Sequence, residues 1–326
     1  MKSKKPLTLK SYKPKVGITI GDPSGIGPLL ALKALLAFGN SVDFTIIGDR
    51  WVLTQAAKFL AKTIEPENID LKNVNQRNFK FGKIKAEYGR ASVEYLDAAI
   101  GLINSKEIDC LVTCPISKQA LGLAGFPYSG HTEYLSHKTK NNNLVMMLLN
   151  HQLKFSLVTR HVALKEVSRQ LSQDKIYKTI SLTYQSLKEL FRIRQPRLMV
   201  CGLNPHASDN GLIGDEENSV IKPALKKFRL KVGPIEGPRP ADIAIIEAKE
   251  DKFDCLIAMY HDQALIPLKL TGRQYGVNLT LGLPFIRTSP LHGTAFDIAA
   301  TNLADPSSLI EAIRLAIRCR SNLKKD

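Results

Sequence analysis

Short apolar runs alternate with longer amphipathic stretches along this 326-residue chain, and this rhythm constrains the fold more than any other feature. Strands separated by helices need crossover connections, which favour a mostly parallel sheet. We therefore predict an α/β fold. The predicted strands cover 16–20, 44–48, 110–113, 144–149, 155–159, 197–202, 255–259 and 277–280. The clearest helical patterns cover 26–38, 91–104, 176–191, 217–228 and 306–320.

Composition narrows the class of protein. The 44% hydrophobic content is enough for a full core, and the longest apolar run, 144–149, is too short to span a bilayer. The basic residues 1–15 lack the apolar stretch of a secretory signal, so we interpret them as a solvated lead-in. Five cysteines form no CxxC pair, which is typical of a reducing compartment. We expect a cytoplasmic protein with no membrane contact.

The formal net charge of +16 raises the possibility of a nucleic-acid partner. A polynucleotide site should gather basic residues on one face or beside stacking aromatic side chains. Here lysines and arginines are spread along the chain and are dense only near its two ends. We therefore predict no nucleic-acid partner, with a polynucleotide-binding module as the weakest alternative. The same charge would attract small anionic substrates.

A glycine-rich segment from Gly21 to Pro28 directly follows the first predicted strand and opens a helix. Such a turn can bring backbone N–H groups close to an anion. It matches neither the GxGxxG nor the Walker pattern. A tight strand-to-helix turn explains the spacing equally well, since glycine tolerates positive φ.

Three histidines closely follow predicted strands: His161, His206 and His261. The carboxyl ends of parallel strands converge on a ligand crevice. Three imidazoles arriving there could hold one divalent metal and leave positions open for a substrate. For any single histidine, a hydrogen-bonded loop position is the commoner outcome, and spacing alone leaves both interpretations open.

Several polar residues have the chemistry of an anion site. His131 and Thr132 open a predicted helix, where a phosphate or carboxylate can dock. Lys269 and Asn278 follow later in the chain. Arg287 lies in an apolar segment bounded by prolines and needs a partner there. A bound phosphate or carboxylate fits that need, and so does a buried structural ion pair.

Eight segments, in order along nearly the whole chain, resemble the 4-hydroxythreonine-4-phosphate dehydrogenase family of vitamin B6 biosynthesis. They are GITIGDPSGIGP, CPISKQAL, AGFPYSGHTEYLS, TRHVALKEV, CGLNPHASDNGLIGDEE, GPRPAD, AMYHDQALIPLK and GVNLTLGLPFIRTSPLHGTAFDIA. The resemblance implies a fold like that of isocitrate and isopropylmalate dehydrogenases, with two α/β domains flanking a cleft. We expect a dinucleotide-side domain at 1–130 plus 285–326, and a second domain at 131–284 with metal, substrate and dimer contacts. The family works as a homodimer with shared sites.

The resemblance also implies a reaction and its residues. The expected activity is NAD-dependent oxidation of the 3-hydroxyl of 4-phosphooxy-L-threonine, followed by decarboxylation to 3-amino-2-oxopropyl phosphate for pyridoxine 5'-phosphate synthesis; NADP could replace NAD. One divalent metal per site (zinc, magnesium or cobalt) falls to His161, His206 and His261. The implied substrate contacts are His131, Thr132, Lys269, Asn278 and Arg287. The expected cofactor contacts are Gly21, Asp22, His292, Gly293 and Asp297. The candidate general bases are Asp242 and, second, Lys118.

Three positions depart from the family pattern. Leu29 and Leu291 stand where acidic residues are usual, and Ile243 stands where a threonine is usual. These departures keep two alternatives open. One is a related dehydrogenase of 4-phospho-threonate or 4-phospho-erythronate. The other is a non-catalytic homologue that binds phosphate or a nucleotide.

Overall fold

A computed structural model describes residues 13–60 and 68–323 and contains one eleven-stranded sheet in that part of the chain. The first twelve residues of the predicted basic lead-in lie outside the described residues. The strands are β1 Lys15–Thr19, β2 Asp43–Gly48, β3 Asn68–Asp70, β4 Cys110–Thr113, β5 Val145–Leu149, β6 Lys154–Leu157, β7 Leu198–Cys201, β8 Glu236–Arg239, β9 Cys255–Ala258, β10 Val277–Leu281 and β11 Ile286–Pro290. Their order across the sheet is β3-β2-β1-β4-β11-β10-β5-β6-β9-β7-β8.

Helices connect the strands, as the alternating pattern predicts. They are α1 Gly27–Phe38, α2 Arg50–Ala57, α3 Ala86–Asn104, α4 Lys118–Leu123, α5 His131–Thr139, α6 Val167–Gln170, α7 Gln173–Phe191, α8 Lys222–Lys231, α9 Ala241–Lys249, α10 His261–Gly272 and α11 Ser307–Leu323. A π-helical turn, Glu217–Ile221, leads directly into α8. All eight predicted strands and all five predicted helices are present, with ends shifted by a few residues.

Strand direction divides the sheet into two parallel halves. The first half pairs β3, β2, β1, β4 and β11 in parallel, and the second pairs β6, β9, β7 and β8 in parallel. Antiparallel pairings of β10 and β5 join the halves. The mostly parallel α/β prediction is confirmed. The strands of each half fall within one of the two predicted domains. The boundaries of those domains stay a prediction.

Strands β7 and β9 are continuously apolar because both of their faces pack against helices. Alternate residues of a strand point to opposite faces of the sheet. In β9, Cys255 and Ile257 join the large core cluster that includes α7, α8 and α11. Leu256 and Ala258 join a second cluster with α9 and α10. Both faces are covered, so neither position can be polar.

Sequence patterns missed β3, β8 and β11. β3 is only three residues long, and β8 (EGPR) contains glycine and proline, which are typical of turns. β11 (IRTSP) carries an arginine and ends in proline. The sequence alone indicates only an apolar, proline-bounded segment that contains Arg287. All five of its residues are buried between β4 and β10.

The glycine-rich segment forms a tight turn whose backbone donors are used within the protein. Gly21 has a φ of 69°, and a Cβ there would lie 2.2 Å from the Pro115 carbonyl oxygen. Asp22 Oδ1 accepts from the Ser24 N–H at 2.9 Å. The Ile26 N–H donates to the Thr294 carbonyl at 3.0 Å, joining this turn to the later HGTA segment. These bonds favour the structural interpretation of the turn over an anion cradle.

Two predictions from composition can be compared with the structure. Cys110, Cys114, Cys201, Cys255 and Cys319 are all free and buried, as expected. In the part of the chain that is described, no helix combines the length and apolarity that crossing a bilayer requires. The cytoplasmic location stays a prediction.

Close packing of α3 on α4 gives a stability prediction. A Cβ at Gly89 would lie 2.2 Å from the Ala120 carbonyl oxygen, which is backbone and cannot rotate away. We expect Gly89→Ala to lower the free energy of unfolding by about 1–3 kcal/mol. Gly101→Ala, in the same helix with open space around it, should raise it by roughly 0.5–1 kcal/mol. Urea denaturation checks both, and equal effects would exclude the proposed clash.

The buried carboxyl of Asp22 gives a pH prediction. Its Oδ2 has no hydrogen-bond partner, and burial raises the pKa of Asp22 from 3.8 to about 6. Because the folded pKa lies above the unfolded one, this group weakens folding as pH rises through that interval. The stability of Asp22→Asn relative to the native chain should therefore increase by roughly 2–2.5 kcal/mol from about pH 4 to about pH 7. Urea denaturation across that range measures it, and a pH-independent difference would contradict the burial effect.

Candidate active site

Parallel pairing brings three histidine-bearing segments to one edge of the sheet. β6 pairs in parallel with β9, and β9 with β7, so their carboxyl ends lie side by side. His161 follows β6, His261 begins α10 after β9, and His206 lies in the loop after β7. The predicted location of all three histidines at strand ends is confirmed.

His161 and His261 form a pair, with their ring centroids 5.3 Å apart. Burial, and then the Lys118 charge, lowers the pKa of His161, which favours the neutral imidazole that a metal requires. His261 Nδ1 lies 2.7 Å from an Asp262 carboxylate oxygen, an arrangement that orients the ring and leaves Nε2 available. The donor set of this pair fits a divalent transition metal.

His206 does not complete a metal site with that pair within one chain. Across residues 13–60 and 68–323, no three His, Cys, Asp or Glu side chains form a group able to hold a metal ion. His206 is exposed and opens a turn in which five successive residues, 206–210, have φ between 47° and 69°. Left-handed conformation costs about 1–2 kcal/mol per residue. The three-histidine ligand set stays a prediction.

Arg287 is a buried cation without a carboxylate partner. Its side chain is 1% exposed. It donates to Thr113 Oγ1 at 2.6 Å from Nη2 and to Thr280 Oγ1 at 2.9 Å from Nη1. Among the described residues, no carboxylate lies within ion-pair distance of it, and Glu133, whose charge acts on it, lies 3.7 Å from Arg160. Burial lowers the pKa of Arg287 to about 9. The alternative of a buried structural ion pair is therefore not what the structure contains, and the site retains a need for an anion.

Two more predicted substrate residues lie near this cation. Burial, followed by the Arg287 charge, holds the pKa of His131 well below its usual value, which favours the neutral ring. His131 Nε2 is buried without a hydrogen-bond partner. Thr132, beside it in the first turn of α5, is 4% exposed. These groups could bond an anionic or hydroxylated ligand next to Arg287.

The other two predicted substrate residues differ in exposure. Asn278, on β10, is 8% exposed, and its Oδ1 is buried without a partner. Lys269 lies in the last turn of α10 and is exposed. Asn278 Oδ1 is therefore a second unsatisfied polar atom, and it lies on the strand that pairs with β11. Lys269 instead reaches solvent on the helix that begins at His261.

The two candidate bases lie in different surroundings. Lys118 begins α4, whose N-cap Ser117 accepts from the Ala120 N–H. Its charge acts on His161, so it lies close to the histidine pair. Asp242 is exposed in the first turn of α9, and α9 contacts the loop that carries His206. Within a single chain, Lys118 is the candidate next to His161 and His261.

A groove of about 610 Å³ opens beside His161. Its lining includes Glu133 and the cationic side chains of Arg160, Lys175 and Lys178. Arg160 Nη2 lies 3.7 Å from Glu133, while its Nη1 is buried without a partner. A groove of this size can hold a small metabolite, and its cations suit an anionic one.

The predicted cofactor residues lie next to the glycine-rich turn. The 291–297 loop contacts that turn through Thr294, and His292 Nε2 is buried without a partner. Gly293 and Asp297 are exposed, whereas Gly21 and Asp22 are buried. The orphaned His292 nitrogen fits a ligand at this loop. Contacts of these five residues with a dinucleotide stay a prediction.

The three residues that differ from the family pattern lie in different environments. Leu29, in the first turn of α1, is 1% exposed and packs in the large core cluster. Leu291 is half-buried against the second core cluster, and Ile243 is 45% exposed on α9. Leu29 therefore acts as a core residue in this chain.

Sequence reasoning missed the residues that hold the site together. Thr113 and Thr280 bond Arg287, and Glu133 lies close enough to affect the pKa of both Arg287 and His161. One signal was available for Thr113, which is a hydroxyl residue at the carboxyl end of an otherwise apolar strand. Thr280 gave no such signal, because only the β10–β11 pairing brings it to Arg287.

Known proteins resemble this chain over most of its length. A 4-hydroxythreonine-4-phosphate dehydrogenase from Sulfurihydrogenibium sp. is 44% identical over 315 residues, which cover 93% of this chain and 97% of that one. A D-threonate 4-phosphate dehydrogenase from Cupriavidus necator is 38% identical, over 94% of this chain and 97% of its own. A crystal structure of 4-hydroxythreonine-4-phosphate dehydrogenase from Klebsiella pneumoniae superposes with a TM-score of 0.84 at 34% identity, covering 95% and 99% of the chains.

More distant structures share only the fold. An isocitrate dehydrogenase from Methylococcus capsulatus superposes with a TM-score of 0.51 at 14% identity, over 95% of this chain and 87% of that one.

The family model described as pyridoxal phosphate biosynthetic protein PdxA matches residues 40–316. The match spans most of the chain, includes the histidine-bearing strands and Arg287, and shows that this protein belongs to the PdxA family.

Proposed function

We propose that this protein is a NAD-dependent, metal-assisted dehydrogenase that oxidises the 3-hydroxyl of 4-phosphooxy-L-threonine and decarboxylates the product to 3-amino-2-oxopropyl phosphate. NADP is the alternative cofactor, and zinc, magnesium or cobalt the candidate metal. The proposal rests on family membership together with the site. Relatives at 38–44% identity carry names of dehydrogenases that act on phosphorylated hydroxy-acids.

Arg287 is the single observation that carries the proposal. A fully buried guanidinium bonded only to two threonine hydroxyls is costly unless a counter-charge arrives. A phosphate or carboxylate of the substrate would supply that charge with two parallel hydrogen bonds. His131, with its unpartnered nitrogen, would add another contact to the same anion or to a neighbouring hydroxyl.

The remaining residues would orient the substrate and move its proton. A bound nicotinamide dinucleotide supplies the hydride acceptor, and a bound divalent metal supplies a Lewis acid for both the oxidation and the decarboxylation. His161, His206 and His261 would hold the metal, and the loop of His292, Gly293 and Asp297 would contact the dinucleotide. Fixing the phosphate at Arg287 would place the reacting carbon in one orientation.

Lys118 is the stronger of the two candidates for the proton from the 3-hydroxyl within one chain. It lies near His161, and hence near an alcohol held at the histidine pair. Asp242 lies beside the His206 loop instead. It would reach the same substrate only if a second subunit brought that loop to the pair.

A homodimer with shared sites would account for the separation of His206 from the other two histidines. Helices α9 and α10 expose apolar side chains that a monomer would leave in water: Ile243, Ile246, Ile266 and Leu270. Leu212, beyond the His206 turn, is 85% exposed. A partner covering these residues would bring its own His206 loop to the dimer interface.

D-threonate 4-phosphate is the second candidate substrate. A relative named for that activity covers as much of this chain as those named for 4-hydroxythreonine 4-phosphate. The two substrates share the phosphate, the carboxylate and the 3-hydroxyl. Arg287 would therefore serve either one.

We expect purified protein to form NADH from the phosphorylated substrates, to lose this activity with a chelator and to recover it with a divalent metal. The panel comprises 4-phosphooxy-L-threonine, D-threonate 4-phosphate, D-erythronate 4-phosphate and unphosphorylated 4-hydroxythreonine, each with NAD or NADP. NADH absorbance gives the rates. Tight binding of these compounds without any turnover would favour a non-catalytic homologue.

Histidine variants locate the metal. His161→Ala and His261→Ala should each lower metal affinity at least about 100-fold, because each removes a direct ligand. His151→Ala is the control, since His151 is exposed and lies near Glu311 instead. Calorimetric titration with Zn²⁺ measures the affinity, and native-like affinity in His161→Ala would contradict the ligand assignment.

Replacing Arg287 by methionine separates a binding role from a structural one. Loss of a charged hydrogen-bonding partner should raise KM for the phosphorylated substrate by roughly tenfold to 100-fold. The free energy of unfolding should change by no more than about 1 kcal/mol, because relief of the buried charge offsets the lost threonine bonds. Steady-state kinetics and urea denaturation measure the two effects. Normal KM with a large loss of stability would assign Arg287 a structural role.

A further inference from the structure

The turn that carries His206 has a backbone that its own sequence does not favour. Residues 206–210 all have positive φ, from 47° to 69°. Asp209 and Asn210 tolerate this region, but Ala207 has no side chain that could stabilise it. Such conformations persist only when neighbouring structure imposes them. The residues that hold this turn therefore lie outside it.

Glu217 bonds the two residues that lead into the turn. Its side chain is fully buried at the start of the π-helical turn before α8. Oε1 accepts from the backbone N–H groups of Leu203 at 2.7 Å and Asn204 at 2.8 Å. Oε2 accepts from Asn204 Nδ2 at 2.8 Å. A carboxylate only accepts, so all three donors are satisfied by one group.

Close packing leaves the turn little freedom to move. A Cβ at Gly202 would lie 3.0 Å from Ala207 Cα and 3.1 Å from Glu217 Oε1, so the turn folds directly onto Gly202. Gln263 Nε2 donates to the Gly202 carbonyl at 2.8 Å, and its Oε1 accepts from the Met259 N–H at 2.7 Å. Gln263 thereby links Gly202, which precedes the His206 turn, to Met259, which precedes His261.

We propose that Glu217 is a positioning residue that holds the 203–210 segment in its left-handed turn and so directs His206. The alternative is a buried carboxylate that contributes only to global stability. Among the described residues Glu217 has no cation within ion-pair distance, and its side chain accepts its hydrogen bonds from Leu203 and Asn204 at the start of this segment. The effect of Glu217 on metal binding rests on the proposed function, in which His206 is a metal ligand. The effect of Glu217 on the conformation of the turn does not depend on that function.

Hydrogen exchange of the metal-free full-length protein tests the hold on the turn. Glu217→Ala should accelerate exchange of amides 203–214 by about tenfold or more, with α7 and β9 little changed. Glu217→Gln keeps an oxygen for two backbone donors and loses the bond from Asn204 Nδ2, so its effect should be intermediate. Leu225→Ala, a core change in α8, is the matched control for lost stability.

A Zn²⁺ titration tests the consequence for His206. Glu217→Ala should weaken metal binding by roughly tenfold to 100-fold, with Glu217→Gln partly restoring it and Leu225→Ala leaving it unchanged. KM for NAD should stay native in all three variants.

Uniform acceleration of exchange along the chain in Glu217→Ala, matching Leu225→Ala, would overturn the positioning role. So would native exchange at 203–214. If the native protein itself bound no metal, the proposed function would fail. The exchange experiment would still decide whether Glu217 holds the turn.

Discussion

Hydrogen bonding among the parallel strands β6, β9 and β7 fixes where this protein can place chemistry. Parallel pairing forces the chain to leave all three strands at the same edge of the sheet. Because both faces of β7 and β9 are covered by helices, polar groups are admitted only where the strands end. His161, His261 and the His206 turn are at those ends. Their placement is a consequence of strand direction rather than of local sequence.

The antiparallel pairing of β10 with β11 adds the second component of the site. It places Thr280 against Arg287, and the parallel pairing of β11 with β4 brings Thr113 to the same guanidinium. A hydroxyl supplies hydrogen bonds without neutralising charge. The fold therefore satisfies the geometry of Arg287 while leaving its charge free to attract an anion, which a carboxylate partner would have prevented. A stable structural ion pair and an open anion site are mutually exclusive at this position.

Much of this arrangement could be predicted from the sequence. Apolar runs located β7 and β9 because a short, continuously apolar run between helices is typical of a strand buried on both faces, and the polar residues that follow them marked the edge that carries the candidate site. The sequence could not indicate β11, since an arginine within a strand becomes favourable only when two neighbouring strands supply its partners. The His206 turn was equally hidden. Its left-handed backbone is imposed by Glu217 and Gly202, and neither residue has a local pattern that reveals this.

The charges around the site bear on which substrates it would accept. Arg160 and Lys118 lie near His161, and Glu133 is the carboxylate whose charge acts on both His161 and Arg287. Glu133 already lies 3.7 Å from Arg160, so its charge is partly neutralised. A surplus of cations favours the phosphate and carboxylate that threonine- and threonate-type substrates share. It offers little preference for the ammonium that only the amino acid carries. Binding energy would then come from the shared groups, and a single site of this kind could give rise to both of the activities for which its relatives are named.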